Sequence, residues 1–212
     1  MYDAIEQHLH DGGVRAREGW EAGEDEEDTL TGHVGAIFQT DWSYLRANGD
    51  AWSWRVRYKK FRGRGPGAFE KRSGADGIFQ VEVNNSLTIR FKGLLFQAKK
   101  GRDLNGNLVE QVASMERIAT NGSAVFEYGP DEYRGISGKD YLEAQQTRAS
   151  RSAVRDKLQP LGTFLGREFL GCAVGLRDLY YEATRGHLWR PDGSAIPFAV
   201  RHRLLLQVER LR

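Results

Sequence analysis

A single cysteine, Cys172, stands in 212 residues. One thiol forms no intramolecular disulfide and no cysteine metal cluster. A reducing, cytoplasmic setting is the natural expectation. Phe169, Leu170 and Val174 surround Cys172 in sequence, which suggests a core thiol rather than a nucleophile. No apolar run approaches the length needed to span a bilayer. The first residues are polar and hold no signal-peptide core, so export is not expected. An excess of one charge is also lacking. The formal net charge is +2, so bulk charge selects no class of partner. There are no internal repeats and no low-complexity tracts. The glycines between Gly162 and Gly175 come without a phosphate-loop lysine or a Rossmann spacing, so no ATP site is read. Any energy-driven step would fall to a partner protein.

What is present is uneven in its distribution. The length fits one domain, or one domain with appendages, and permits a substantial core. Residues 18–28, EGWEAGEDEED, are acidic. Residues 55–72 carry Arg55, Arg57, Lys59, Lys60, Arg62, Arg64, Lys71 and Arg72 against the single acid Glu70. That asymmetry suggests an edge facing a polyanion.

Residues 1–24 are polar and interrupted by glycine, and read as an arm or a loose first helix. Apolar residues then recur at three- and four-residue steps, which predicts a helix from Glu26 to about Ala47. The acids at 24–28 suit its N-terminus, and Asn48-Gly49-Asp50 would stop it. Trp52 to Tyr58 alternates apolar and basic, a half-exposed strand. Gly63 to Gly67 is a loop. Ile78 to Val83 is a second strand, Asn84-Asn85-Ser86 a turn, and Leu87 to Ala98 strand material, read as one bent strand. A turn at Leu104 to Asn107 precedes a helix from Leu108 to Ala119. A short strand covers Ala124 to Tyr128, followed by a loop over 129–139. Residues 140–182 read as mostly helical, broken near Pro160, and 186–197 as a loop. The tail, 198–211, fits either period and leans to strand. The order predicts an α/β architecture, a central mixed sheet flanked by helices. Residues 25–212 are read as one domain, with its core at 26–130 and a helical and C-terminal extension over 131–212.

Two points in that order carry chemistry. Asp76 heads one strand in Gly74-Ala75-Asp76-Gly77, and Gln97 and Lys99 end the next in Phe96-Gln97-Ala98-Lys99-Lys100. Gln97 and Lys99 share a strand face because side chains alternate. If the two strands are neighbours, a carboxylate, an amide and an ammonium meet. Magnesium takes hard oxygen ligands. Asp76, the Gln97 amide and the Ala98 main-chain carbonyl could supply three. Lys99 could assist an attacking water or neutralise a phosphorane.

These residues resemble the PD-(D/E)xK superfamily of restriction-endonuclease-like nucleases. The Gly-Ala-Asp-Gly and Gln-Ala-Lys are most similar to the branch that writes Gln for the second acid, as in Mrr-type restriction enzymes and nuclease domains of bacterial antiphage systems. The resemblance covers roughly residues 26–130, with a weaker echo around Leu170-Gly171-Cys172. It implies a restriction-endonuclease-like three-layer fold and a DNA endonuclease using Mg²⁺, with Mn²⁺ as substitute. Hydrolysis would leave 5′-phosphate ends. It implies a helix-borne metal-site acid, which Glu27 matches. A glutamine facing the site from the helix after the lysine strand is matched by Gln111. It further implies a prokaryotic role in restriction or defence under a regulatory or ATPase partner, and a homodimer for cutting both strands. DNA is the expected substrate before RNA. Because Gln97 is neutral, another carboxylate must compensate, Glu27 first and Glu70 second.

Plainer explanations exist for each residue. Asp76 suits a glycine-flanked turn, and an acid in a helix's first turn needs no function. Against that, Gln97 and Lys99 end a buried run, Leu94-Leu95-Phe96, where polar groups are costly without partners. The basic stretch, Arg55, Arg57, Lys59, Lys60, Arg62 and Arg64, could guard a sheet edge. Its interleaved aromatics favour nucleic acid. His8, His10 and Asp11 lack further ligands at zinc spacing. A catalytically silent nucleic-acid-binding or scaffold subunit, or an RNA-cleaving nuclease, remain the alternatives.

Overall fold

Alternation along a single strand sets the layers. Leu94, Phe96 and Ala98 face one buried cluster, and Leu95 between them faces another. That strand is β4, Ile89–Lys100, near the middle of the sheet. In a computed structural model of the protein, residues 2–23, 26–47, 49–61, 73–101, 107–147 and 150–211 are described. The described chain begins with helices α1 (Tyr2–Ala16), α2 (Trp20–Gly23) and α3 (Glu27–Phe38). Strands β1 (Ser43–Ala47), β2 (Asp50–Lys60), β3 (Gly77–Asn84) and β4 follow. Next come α4 (Asn107–Ile118), β5 (Ser123–Tyr128), β6 (Tyr133–Ser137), α5 (Gly138–Gln145) and α6 (Ser150–Lys157). After β7 (Gln159–Pro160), α7 (Leu161–Thr163) continues into a wider π-helical turn at Phe164–Phe169. Short strands β8 (Leu176–Arg177), β9 (Tyr180–Glu182), β10 (His187–Trp189) and β11 (Ala195–Pro197) lead to β12 (His202–Arg210).

The main sheet runs β1-β2-β12-β3-β4-β5-β6-β7, with β8 also paired to β4. It is mixed: β12 runs parallel to β3, and β4 parallel to β5, among antiparallel neighbours. One face is covered by α1, α3, α7 and the π turn, through Ile5, Leu9, Leu30, Val34, Phe38, Leu161 and Phe164. The other carries α4, α5, α6 and a three-stranded sheet, β11-β10-β9. The protein is thus α/β, with a central mixed sheet flanked by helices. No described helix is long and apolar enough to cross a membrane.

Several expectations are corrected. The first segment takes the helix alternative and not the arm, with Ile5 and Leu9 fully buried, so its sparse apolar residues serve the core. The helix expected to reach Ala47 stops at Phe38, and residues 43–47 form edge strand β1. Ala47 pairs with Asp50, and Gly49 takes φ +83°, so the glycine serves a hairpin rather than a helix stop. Residues 133–137 form β6, because pairing to β5 outweighs their weak local signal. The stretch 140–182 is helical only to Phe169, after which β8 and β9 form. The expected loop 186–197 holds β10 and β11. Cys172 is exposed, at φ +69°, in the bend that follows the π turn. The tail adopts the strand alternative, but centrally, between β2 and β3.

Two glycines permit the close packing around Asp76. Gly74 has φ +72°, and a Cβ there would lie 2.3 Å from the Gln111 carbonyl oxygen of α4. At Gly77 a Cβ would meet the Phe96 ring at 2.3 Å and the His202 carbonyl at 2.6 Å. Side chains at these positions would push away α4 and β12, the two elements that close over Asp76.

Candidate active site

Asp76 precedes β3 by one residue, and its backbone is held from both sides. Its N–H donates to the Phe96 carbonyl at 2.9 Å. Its own carbonyl accepts from Arg201 N at 2.8 Å and His202 N at 3.1 Å. The side chain then points at the end of β4. Asp76 Oδ2 accepts from Gln97 Nε2 at 2.5 Å and from Ala98 N at 2.9 Å. Gln97 is 3% exposed, and its amide nitrogen also donates to the Ala98 carbonyl at 3.2 Å. The carboxylate, the amide and the main-chain carbonyl read from the sequence therefore form one cluster.

Glu27 enters from the first turn of α3. Its Oε2 lies 3.2 Å from Lys99 Nζ, and its Oε1 accepts from Lys100 N at 3.2 Å. Glu27 thus ties α3 to the end of β4 and holds the lysine beside the cluster. Gln111 of α4 has a buried side-chain oxygen with no hydrogen-bond partner among the described residues. Its backbone packs on Gly74, two residues before Asp76. Glu70, Arg62 and Arg64 lie outside the described residues.

The electrostatics follow from crowding. Asp76 retains some surface, but protein surrounds it, and burial pushes its carboxyl up to about 6. The Ala98 N–H, Lys99 and Arg201 oppose that rise, and the charge of Glu27 adds to it. A carboxylate held above its ordinary range beside a second acid favours a cation.

A second polar cluster, missed in the sequence, adjoins the first. His202 is 1% exposed. Its Nε2 lies 2.8 Å from Asp28 Oδ1 and its Nδ1 2.8 Å from the Tyr58 hydroxyl. Asp28 accepts only, so Nε2 carries the proton and Nδ1 accepts from Tyr58. Lys60 pairs with the other oxygen of Asp28. Burial holds His202 below the usual histidine range despite Asp28. Burial raises Asp28, but Lys60 and His202 more than offset it and leave it lowered. Burial, with Asp28 nearby, pushes the Tyr58 hydroxyl up to about 12. The available signal was Arg201-His202-Arg203, a basic triplet heading an apolar strand.

The basic residues separate by strand parity. Tyr58 and Lys60 face α3, whereas Arg55, Arg57 and Lys59 point to the opposite face. Arg55 lies 4.2 Å from the Trp42 ring centroid and donates to Gln207 at 2.8 Å. Of the histidine arm, His8 bonds the Phe38 carbonyl at 2.8 Å, a structural contact.

No family model, curated protein or solved structure matches the chain. Among the described residues, no group of three or more His, Cys, Asp or Glu side chains could hold a metal ion. The donors here would be two acids, Asp76 and Glu27, with neutral oxygens from Gln97 and the Ala98 carbonyl. An all-oxygen set of this kind suits magnesium. The raised Asp76 carboxyl fits that assignment. The Gln97 amide has its nitrogen toward both Asp76 and the Ala98 carbonyl. It must turn to offer oxygen.

Proposed function

We propose that this protein is a Mg²⁺-dependent DNA endonuclease of restriction-endonuclease-like type, with Mn²⁺ as substitute, and that it acts as a nuclease effector in prokaryotic restriction or antiphage defence. The observation that carries the reading is the convergence of Asp76, Gln97, the Ala98 carbonyl, Lys99 and Glu27 where β3, β4 and α3 meet. A divalent ion bound by these oxygens would supply charge to polarise the scissile phosphate and acidify water. The chain's own groups do the rest. Lys99, held by Glu27, places a positive charge where the phosphorane becomes more negative. Water forms the new P–O bond, the bond to the 3′ oxygen breaks, and a 5′-phosphate end remains. A regulatory or ATPase partner, a homodimer that cuts both strands and a cytoplasmic setting belong to the same reading.

One observation favours the non-cutting alternative, a nucleic-acid-binding or scaffold subunit. The Gln97 amide nitrogen already bonds both Asp76 and the Ala98 carbonyl, so the cluster is self-satisfied without an ion. The deciding assay incubates plasmid with wild type, Asp76→Ala and Lys99→Ala, in Mg²⁺ or Mn²⁺. Nicking by wild type alone is expected. Equal cleavage by all three would overturn the assignment, and no cleavage by any would favour the silent reading. Structured RNA in parallel tests the RNA-cleaving alternative.

A further inference from the structure

The face of the sheet that carries Gln97 and Lys99 is not covered evenly. Over β3 and β4 lies the small sheet, anchored where Tyr181 N donates to the buried Gln80 side chain at 3.1 Å. Beside it, over β12 and β2, the same face carries long cationic side chains. The register makes their order explicit. Arg203 of β12 stands opposite Lys59 of β2, Leu205 opposite Arg57, and Gln207 opposite Arg55. Ile78 of β3 is the partner of Arg203 on the other side. Ile78 and Leu95 belong to the cluster on this face. One step beyond Arg203 in the same parity comes Arg201, whose backbone holds the Asp76 carbonyl and whose charge is felt at Asp76.

The row therefore starts at the candidate site and runs down the sheet. Its ranks at Arg203 with Lys59, and at Arg57, contain no acid on β2, β12 or β3. Carboxylates return only farther along, at Glu82 and Glu209, and Glu82 is engaged by Gln207 at 3.3 Å. Among the described residues, Arg57, Lys59 and Arg203 make no ion pair. Arg203 Nε is buried without a hydrogen-bond acceptor, and Arg57 crowds it with like charge. Phe61 lies under two of the cations, 5.2 Å from Lys59 Nζ and 6.0 Å from Arg203 Cζ. Like charges set opposite each other on adjacent strands are unfavourable. A row of phosphates would relieve that repulsion.

We propose that Arg203, Lys59 and Arg57 form a phosphate track that carries one flank of a DNA duplex from the candidate active site across the face of β12 and β2. The inference rests on the nuclease reading for its direction, but its binding surface is testable without cleavage. The track excludes Lys60, which belongs to the Asp28–His202 cluster, and names Arg203.

The test measures binding of a fluorescein-labelled DNA duplex by anisotropy, in EDTA, on an Asp76→Ala background. Arg57→Gln/Lys59→Gln alters two exposed positions, and circular dichroism checks that it folds. Each lost phosphate contact lowers the salt slope of log K by about 0.9, so a decrease of about two is expected. Arg177→Gln, an exposed arginine on the other face, should leave the slope unchanged. No binding by the parent, an unchanged slope in the double variant, or an equal loss in Arg177→Gln overturns the track. Tighter binding of an RNA duplex overturns the choice of DNA. Failure of the track and failure of the nuclease reading separate cleanly. Track-dependent binding by a protein that never cuts leaves the track standing and sinks the nuclease. Cleavage by wild type with normal binding by the double variant does the reverse.

Discussion

Replacing Asp76 by asparagine removes a charge and keeps an acceptor. Gln97 Nε2 and Ala98 N still find an oxygen at that position, so the packing around the site is preserved. What disappears is an ionisation that the fold opposes. Raising the carboxyl from 3.8 to about 6 corresponds to about 3 kcal/mol of stability lost by pH 7. The sign follows from proton binding. Between pH 3.8 and 6 the folded state holds more protons than the unfolded state, so wild-type stability falls as pH rises through that window. The variant lacks this dependence. It should match wild type below pH 3.8 and exceed it by about 2–3 kcal/mol above pH 6. Urea denaturation in EDTA at pH 3.5 and pH 7.5 measures both ends. Added Mg²⁺ should then stabilise wild type by mass action and leave the variant unmoved. A variant no more stable than wild type at pH 7.5, or an advantage that does not grow with pH, refutes the argument. Either would mean that Asp76 ionises freely and that the site holds no electrostatic demand for a cation.

Two further outcomes separate the roles of the neighbouring groups. Lys99→Ala removes a partly exposed ion pair with Glu27, so stability should change by less than about 1 kcal/mol. Plasmid nicking should fall by at least about a hundredfold if the lysine stabilises developing charge, and unchanged nicking would remove it from the mechanism. His202→Ala removes the imidazole partner of Asp28 and of Tyr58 and leaves a void, which should cost about 2–4 kcal/mol by urea denaturation. Because His202 is held below its ordinary range, its share of stability is present above pH 6.5 and lost as pH falls below it. The deficit of the variant should narrow over that interval, and a deficit independent of pH would contradict the buried neutral imidazole.

The sequence was most legible where period and burial agree. β4 reads from Leu94-Leu95-Phe96 and its polar end, and α4 from Leu108, Val112 and Met115, all of which are buried. Asp76 beside Gln97 was legible because β3 and β4 are consecutive and antiparallel, so a turn brings their ends together. The error over residues 43–47 came from Leu45 extending the helical spacing of Val34 and Phe38, although Asn48-Gly49 is the commonest hairpin signal. β12 was ambiguous for a different reason. Leu204, Leu206 and Val208 point to one core face, but the place of that strand between β2 and β3 depends on partners more than a hundred residues away. No local period encodes such a choice. Arg201 and His202 were missed because their role exists only after that insertion.

The insertion of β12 also couples the two halves of the candidate site. His202 N, with Arg201 N, fixes the carbonyl of Asp76. The His202 imidazole fixes Asp28, the residue after Glu27 in the first turn of α3. Glu27 in turn holds Lys99 and the backbone of Lys100. One histidine therefore links the Asp76 turn to the helix that delivers the second acid, and Gly77 leaves the room its carbonyl needs. Main-chain contact places Asp76, and side-chain contact holds Asp28, the neighbour of Glu27, from the same residue. Loosening the start of β12 would release both acids together. The geometry around Asp76, Gln97 and Lys99 is thus a property of the sheet as a whole, and a short motif specifies only the part contained in β3 and β4.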